Sequence, residues 1–384
     1  MTEPAQPDRP EGAVAAIGVG AAAMIGIGVQ PLLLDALVKA GRLSQDLVHP
    51  AVLADLFGMG LAIALAACFL PPTRLRRTAA VAAVISAGLG LAVIGAHGPQ
   101  ILALRGLAGL ADGLLIWITI GFLARRARPE PWAAAFFMSQ SLGQLVLVGL
   151  TGALLLPRFG LAIALTAPAA MSAIALLLCA SLPASLPPLP RPAPAGLPAP
   201  RGLIGLAALF AYVAAGTGVW LHMSRLAGDP ALSGLTVSAA LCAQVLGALF
   251  AVLSAGRLKP GQVFAGAALA TLTAYAILAL QPPPALFVAA FALASFSGMA
   301  LGTWLFSFLI QADPSRRAAA ASAAAQLTGS ALGPLIAGAV VNGVGGDGDP
   351  RLALAVGAAL VATTLVTTLV LTRPLGNLKL APQG

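Results

Sequence analysis

Charge is scarce in this 384-residue chain: only 9% of its residues are Asp, Glu, Lys or Arg, and only 5% are aromatic. A water-soluble domain carries about 25% charged residues, so an ordinary solvated surface is excluded. The three cysteines, Cys68, Cys179 and Cys242, each sit inside an apolar run and lack C-x-x-C or paired spacing, which argues against disulfides and thiolate metal sites. Packing as small apolar side chains is their expected role. The three histidines, His49, His97 and His222, fall at the ends of apolar runs with no two at helical ligand spacing, so no metal and no cofactor is expected. A G-x-x-x-x-G-K-[ST] motif is missing, which removes the usual signature of nucleotide drive. Gly18-Val19-Gly20-x-x-Ala23 fits a dinucleotide fingerprint in letters only, because no strand precedes it.

Apolar residues are abundant instead: 59% of the chain is hydrophobic and the mean hydropathy is +0.96. A bilayer-crossing helix needs about 20 mostly apolar residues. Spans of that kind are predicted near 13 to 36, 50 to 70, 79 to 96, 99 to 124, 132 to 156, 159 to 182, 202 to 225, 232 to 254, 261 to 280, 285 to 310, 318 to 342 and 351 to 372. Ala, Gly and Leu dominate each span without polar alternation, so a β-barrel is excluded and the expected fold class is an all-α integral membrane protein with twelve transmembrane helices. Its surroundings are lipid.

The formal net charge of +9 would suit nucleic acid, yet the basic residues form short clusters between spans rather than one face, so no nucleic-acid partner is expected. Their placement reads as topology. With both termini in the cytoplasm, fifteen of the 21 Lys and Arg residues lie inside, among them Arg74, Arg76, Arg77, Arg125, Arg126, Arg316 and Arg317. Five lie outside (Lys39, Arg42, Arg158, Arg225, Arg351), and Arg105 falls within a span. That bias predicts a multi-pass protein of the cell (inner) membrane with cytoplasmic N- and C-termini. The first twelve residues carry Glu3, Asp8 and Glu11 against one Arg9, unlike a signal peptide, so the first span is expected to be retained.

Eight prolines between 183 and 200 break the chain in its middle. Such a stretch cannot be helix and is expected to be an extended linker. The expected organisation is a tail at 1–12, a six-helix bundle at 13–182, the linker at 183–201, a second bundle at 202–372 and a tail at 373–384. Traces of duplication support two parallel halves. Ala54-Asp55-Leu56-Phe57-Gly58 is answered by Ala243-Gln244-Val245-Leu246-Gly247, Arg74-Leu75-Arg76 by Arg257-Leu258-Lys259, and Gln140 with Gly143 by Gln326 with Gly329. Trp117 and Trp304 share the same offset and are expected to pack or meet lipid, whereas Trp132 and Trp220 suit interface anchors. Paired bundles of this kind allow one half to rock against the other about a midplane site.

With six plus six spans and a central linker, the chain resembles the major facilitator superfamily over nearly its whole length. The fourth span reads Ile101-x-x-x-Arg105-x-x-Ala108-Gly109-x-Ala111-Asp112-Gly113, similar to the family's fourth-helix motif. The eleventh reads Gly329-x-x-x-Gly333-Pro334-x-x-x-Gly338, similar to a glycine-proline signature that antiporter members carry in the fifth helix. In the loop after the second span only Leu70, Arg76 and Arg77 agree with the family's pattern, and Pro72 stands where its acid belongs, so the gating ion pair of that motif is in question. The resemblance implies alternating access by a carrier with no enzymatic activity, with the fourth helix lining a central cavity.

Charges inside a span cost about 2.5–3.5 kcal/mol each and demand a partner, a wet cavity or a function. Arg105 and Asp112 are seven residues apart, almost two turns, and so share one stripe of their helix. On a stripe facing the central cavity, Asp112 near the midplane could take up and release a proton, with Arg105 binding an anionic solute group or answering Asp112. Asp55 matches Arg105 in depth, and an ion pair between them is the structural alternative, with Asp112 then held neutral by a neighbouring hydroxyl. Asp35 near a helix end and Gln30 before Pro31 are further candidates, as are Gln140, Gln144, Gln244 and Gln326, polar residues on helices expected to meet across the halves. Gly109, Gly113, Gly329 and Gly333, with Pro334, are expected to set helix approach and gating. The expected function is proton-coupled secondary transport of a small organic solute, with efflux of an amphipathic metabolite or drug ahead of uptake of an organic anion. A receptor or assembly factor on a carrier fold is the alternative from another class; an intramembrane acyltransferase lacks a His-x-x-x-x-Asp pattern. Solute, protons and lipid are the expected partners of a monomer.

Overall fold

A computed structural model describes residues 12–187, 198–254, 257–343 and 348–372. The expected tails, with Arg9, Arg373 and Lys379, and most of the linker, with Arg191, lie outside the described residues, Gly12 and the linker's two ends excepted. Among the described residues the main helices are, in order, α1 Ala13–Lys39, α2 Val48–Phe69, α3 Leu75–Ala92, α4 Pro99–Leu123, α5 Pro129–Leu150, α6 Ala167–Leu178, α7 Pro200–Leu221, α8 Pro230–Ser254, α9 Pro260–Ala279, α10 Pro284–Ala312, α11 Ser322–Gly343 and α12 Arg351–Thr372, of which all but the shorter α6 are long and apolar enough to cross a membrane. Among the described residues, strand pairing is limited to one isolated bridge, Thr73 with Ser185.

Proline marks the helix starts. Pro99, Pro129, Pro200, Pro260 and Pro284 each occupy a first helical position, where the missing N–H would have had no intrahelical partner. Several boundaries differ from the sequence expectation. Helix α3 begins and ends four residues early, because Leu75 is buried and packs into the bundle. Helix α5 runs on through a wider π-helical stretch, Thr151–Phe159, that absorbs Pro157, and the chain turns at Gly160 (φ 77°, ψ 179°), a conformation open to glycine alone. A single turn, Gly160–Ala164, then leads through Leu165 and Thr166 into α6. The expected eleventh span is broken: Arg317–Ala320 forms one turn, and α11 restarts at Ser322.

Helices α1 to α6 form one bundle and α7 to α12 another, each with its own close glycine contacts. A Cβ at Gly113 of α4 would lie 2.5 Å from the Met59 carbonyl of α2 and 2.8 Å from the Ala62 Cβ, and Gly109 touches the Asp55 carbonyl. Gly247 of α8 meets the Phe296 carbonyl of α10, the equivalent pair in the second bundle. Gly329 and Gly333 of α11 press on Phe210 and Ala214 of α7. Such glycines bring backbones within direct packing distance where lipid supplies no hydrophobic drive. Apolar side chains such as Phe69 (80% exposed) and Leu177 (79%) cover the outside, as a lipid-facing surface requires.

Both bundles share a polarity. The end holding Gly12, Ser181 and Pro200 is the linker side; the end holding Lys39, Gly98 and Leu280 is the far side. On the linker side the loop between α2 and α3 is tied to the start of the linker. Leu75 N–H donates to the Ala184 carbonyl (3.0 Å), Leu186 N–H to Pro72 (2.9 Å) and Arg76 Nε to Leu182 (2.6 Å). The adjacent Arg125 donates through Nε to the Pro187 carbonyl (2.5 Å), and burial lowers its pKa to about 10, which leaves it cationic at neutral pH. Arg76, one of the residues that resembles the family's loop motif, therefore anchors the linker.

Candidate functional site

Three features stand out: a charged cluster inside the first bundle, an uncharged chamber inside the second, and the seam between them. The cluster is built on α2 and α4, whose glycine contact brings Asp55 and Arg105 together. Arg105 Nη2 lies 2.5 Å from Asp55 Oδ2, with Asp55 1% and Arg105 13% exposed. Gln30 of α1 donates from Nε2 to the same carboxylate oxygen. Two turns along α4, Asp112 lines a void of about 20 Å³ with Ser86, Ser172 and Arg105, room for a single water. Ser86 is within hydrogen-bonding reach of the Asp112 carboxyl and lies 3.0 Å from Ser172 Oγ. Asp112 is part-buried, but its Oδ1 is shielded, and that atom, Asp55 Oδ1 and Gln30 Oε1 have no hydrogen-bond partner among the described residues.

The void is lined by α1, α2, α3, α4 and α6 alone. The expectation that the Arg105–Asp112 stripe faces a cavity between the halves is therefore corrected: the stripe points into the first bundle, because Gly109 and Gly113 on α4 draw that face against α2.

The second bundle holds a chamber of about 250 Å³ whose lining includes Gln244 of α8 and Gln326 of α11. Tyr212 and Tyr275 form buried walls, with Tyr212 Oη 2.8 Å from Thr271 Oγ1. The lining carries no Asp, Glu, Lys, Arg or His. Gln140 of α5 is buried with an unpartnered Oε1, and Gln144 donates to the Met24 carbonyl (2.9 Å), so neither glutamine of α5 belongs to the chamber.

The seam is closed on the linker side. Arg316 Nη1 donates to the carbonyls of Ala124 (3.1 Å) and Arg126 (2.8 Å), just past the C-terminus of α4, and burial lowers the Arg316 pKa. Arg126 in turn stacks over Phe122 (3.8 Å) and Trp132 (5.3 Å), which fixes the segment that accepts Arg316. Ser307 of α10 donates to the Glu130 carboxylate of α5, Phe137 of α5 lies against Gly302, and Thr328 of α11 against Gly60 of α2. On the far side the halves part around a vestibule of about 360 Å³ between Pro31 and Leu53 of the first bundle and Trp220 and Pro334 of the second.

The whole-chain arrangement has counterparts among solved structures. FucP, described as a major facilitator superfamily transporter in the outward conformation, superimposes with a TM-score of 0.72 at 15% identity, over 94% of this chain and 100% of that one. The chain has the major facilitator fold. The human organic anion transporter MFSD10 (TETRAN) gives 0.69 at 16% identity, over 95% of this chain and 100% of that one. The proton:xylose symporter XylE with bound 6-bromo-6-deoxy-D-glucose gives 0.65 at 14%, over 93% of each chain. No protein-family model and no curated protein sequence matches the chain.

Within this major facilitator fold, several residues stand apart from the cluster and chamber. Asp35 is an exposed partner of Lys39 (2.7 Å) at the vestibule rim, where His49 also stands. His222 is buried, its Nδ1 3.0 Å from the Gly218 carbonyl, and His97 is exposed. Cys68 and Cys242 are exposed on the apolar surface, whereas Cys179 is buried. Trp117 and Trp304 are buried within their bundles. Sequence reasoning missed Ser86 and Ser172, the tyrosines, and the Arg316 contact. The serines and tyrosines are ordinary polar residues in apolar runs, and only the loop's basic pair carried a signal for Arg316.

Proposed function

We propose that this chain is a secondary active transporter that moves a small organic solute by alternating access, with the linker side facing the cytoplasm of a cell (inner) membrane. The observation that carries this reading is the asymmetric seam: polar and aromatic contacts join the halves on the linker side, while a vestibule opens between them on the far side. A receptor or assembly factor has no need of such one-sided closure. The basic linker side supports cytoplasmic termini.

Asp112 is the proposed coupling carboxyl. Ionised, Asp55, Arg105 and Asp112 sum to one uncompensated negative charge in an enclosed site, and uptake of one proton removes it. The anion-uptake alternative loses ground because Arg105 is already engaged by Asp55. Efflux of an amphipathic compound is the favoured direction, because the path between the halves is mostly apolar.

The test is solute flux and proton movement with purified protein in proteoliposomes under opposed pH gradients, repeated with Asp112→Asn. Gradient-driven accumulation that the variant loses, with exchange of pre-loaded solute retained, is the expected result. Proton-coupled currents that survive the change would remove Asp112 from the mechanism; no flux of any solute, with a partner protein retained, would favour the receptor reading.

A further inference from the structure

The repeat that relates the halves also relates their two interior sites. Gln244 stands at the position of Asp55, and the offset of 187 residues that links Trp117 to Trp304 sets Met299 at the position of Asp112. The first copy of the site holds an ion pair and a void of about 20 Å³; the second carries an amide and a thioether at the matching positions and is open at about 250 Å³. The two halves thus hold one charged site that fits nothing larger than water and one uncharged site with room for a small organic molecule.

The chamber is equipped to hold such a molecule. The side-chain amides of Gln244 and Gln326 face it from α8 and α11, and neither makes a side-chain hydrogen bond to another described residue. Two partly open amides beside Ser295 offer both donors and acceptors, and Tyr275, Phe291 and Trp220 give flat apolar walls. A charged solute entering here would shed its water with no counter-ion to receive it.

Trp220 belongs to two linings. It borders the chamber on one side and the far-side vestibule on the other, so the indole forms part of the wall between them. Its place at the end of α7 is thus internal, where the sequence suggested an anchor at the membrane surface.

We infer that the solute site lies inside the second bundle, takes an uncharged molecule with hydrogen-bonding groups on an apolar body, and is reached from the far-side vestibule past Trp220. This rests on the transport reading and adds to it the chemical class of the solute and its route. The charged cluster of the first bundle then handles the coupling ion without touching the solute.

The test can be run before the solute is identified. Ser295→Cys is a near-isosteric reporter in the chamber, placed in a protein with Cys68→Ser, Cys179→Ala and Cys242→Ala, with Ala127→Cys on the exposed linker-side loop as reference. Intact-mass kinetics in reconstituted vesicles are followed with 2-hydroxyethyl, 2-sulfonatoethyl and 2-(trimethylammonio)ethyl methanethiosulfonate. Relative to the reference site, the neutral reagent should label Ser295→Cys about 10-fold or more faster than either charged one, because the chamber offers no counter-charge. Trp220→Ala should accelerate the neutral reagent several-fold, and Trp220→Phe, which keeps a ring in place and guards against misfolding of the first variant, should not. Equal labelling by all three reagents, or a rate indifferent to Trp220→Ala, would overturn the inference. Flux in the same vesicles separates the two readings: the expected labelling without passage of any solute overturns the transport role, and flux with non-selective labelling overturns the chamber assignment alone.

Discussion

Removing the Arg316 guanidinium should unlatch the linker side. The side chain crosses the seam and donates from one nitrogen to two carbonyls just beyond α4, at 3.1 and 2.8 Å. A hydrogen bond from a charged donor is worth about 1.5–3 kcal/mol where water cannot replace it, and the negative end of a helix adds some tenths more. Arg316 is only partly buried, so water recovers much of this on opening, and about 1–2 kcal/mol for the pair is a reasonable net value. In the linker-open state the guanidinium is hydrated, so Arg316→Ala acts on the closed state and should shift the closed-to-open ratio about 5- to 30-fold. Spin labels at Ala127→Cys and Gln311→Cys, both exposed on the linker side, read the separation of the halves by pulsed dipolar spectroscopy. A longer-distance population should grow, with Arg316→Lys lying between because an ammonium keeps the charge and loses the planar fork. An unchanged distance distribution in a protein that melts normally would refute the latch.

Asp55→Ala leaves Arg105 enclosed without its partner and should cost about 3–5 kcal/mol of stability in a thermal melt in detergent, with much of the loss recovered by Asp55→Leu combined with Arg105→Met. Gly113→Val forces side-chain atoms against the Met59 carbonyl and Ala62, and should destabilise by about 1–3 kcal/mol, measurable by the same melt. Gly160→Val places a β-branched residue at φ 77° and should lower folding yield and melting temperature although the position is open to the surface; an unaffected melt would show that the turn tolerates another geometry. Gln244→Leu with Gln326→Leu should reduce solute exchange at least tenfold while leaving the melt nearly unchanged, since neither amide makes a side-chain hydrogen bond to another described residue.

Much of the architecture was legible in order and kind. Apolar length alone determines that these segments cross a membrane, because an unpaired backbone in hydrocarbon costs more than any side-chain preference can offset. Pro99 opened the expected fourth span, whereas Pro129, Pro200, Pro260 and Pro284 open α5, α7, α9 and α10 shortly before the expected spans began. The Asp55–Arg105 pairing was readable from matched depth, since depth along a helix follows directly from residue count. Rotation about the helix axis was another matter. Arg105 and Asp112 share a stripe by sequence, yet which neighbour that stripe faces depends on the α2–α4 glycine contact, and so the cluster lies within a bundle instead of between two. The open chamber, its uncharged lining and the place of Trp220 between two spaces were decided by tertiary packing, because a cavity is the space left by five helices at once and no single segment encodes it. The Arg316 latch likewise joins residues about 190 positions apart, and only the meeting of the two halves shows which loop carbonyls its guanidinium can reach.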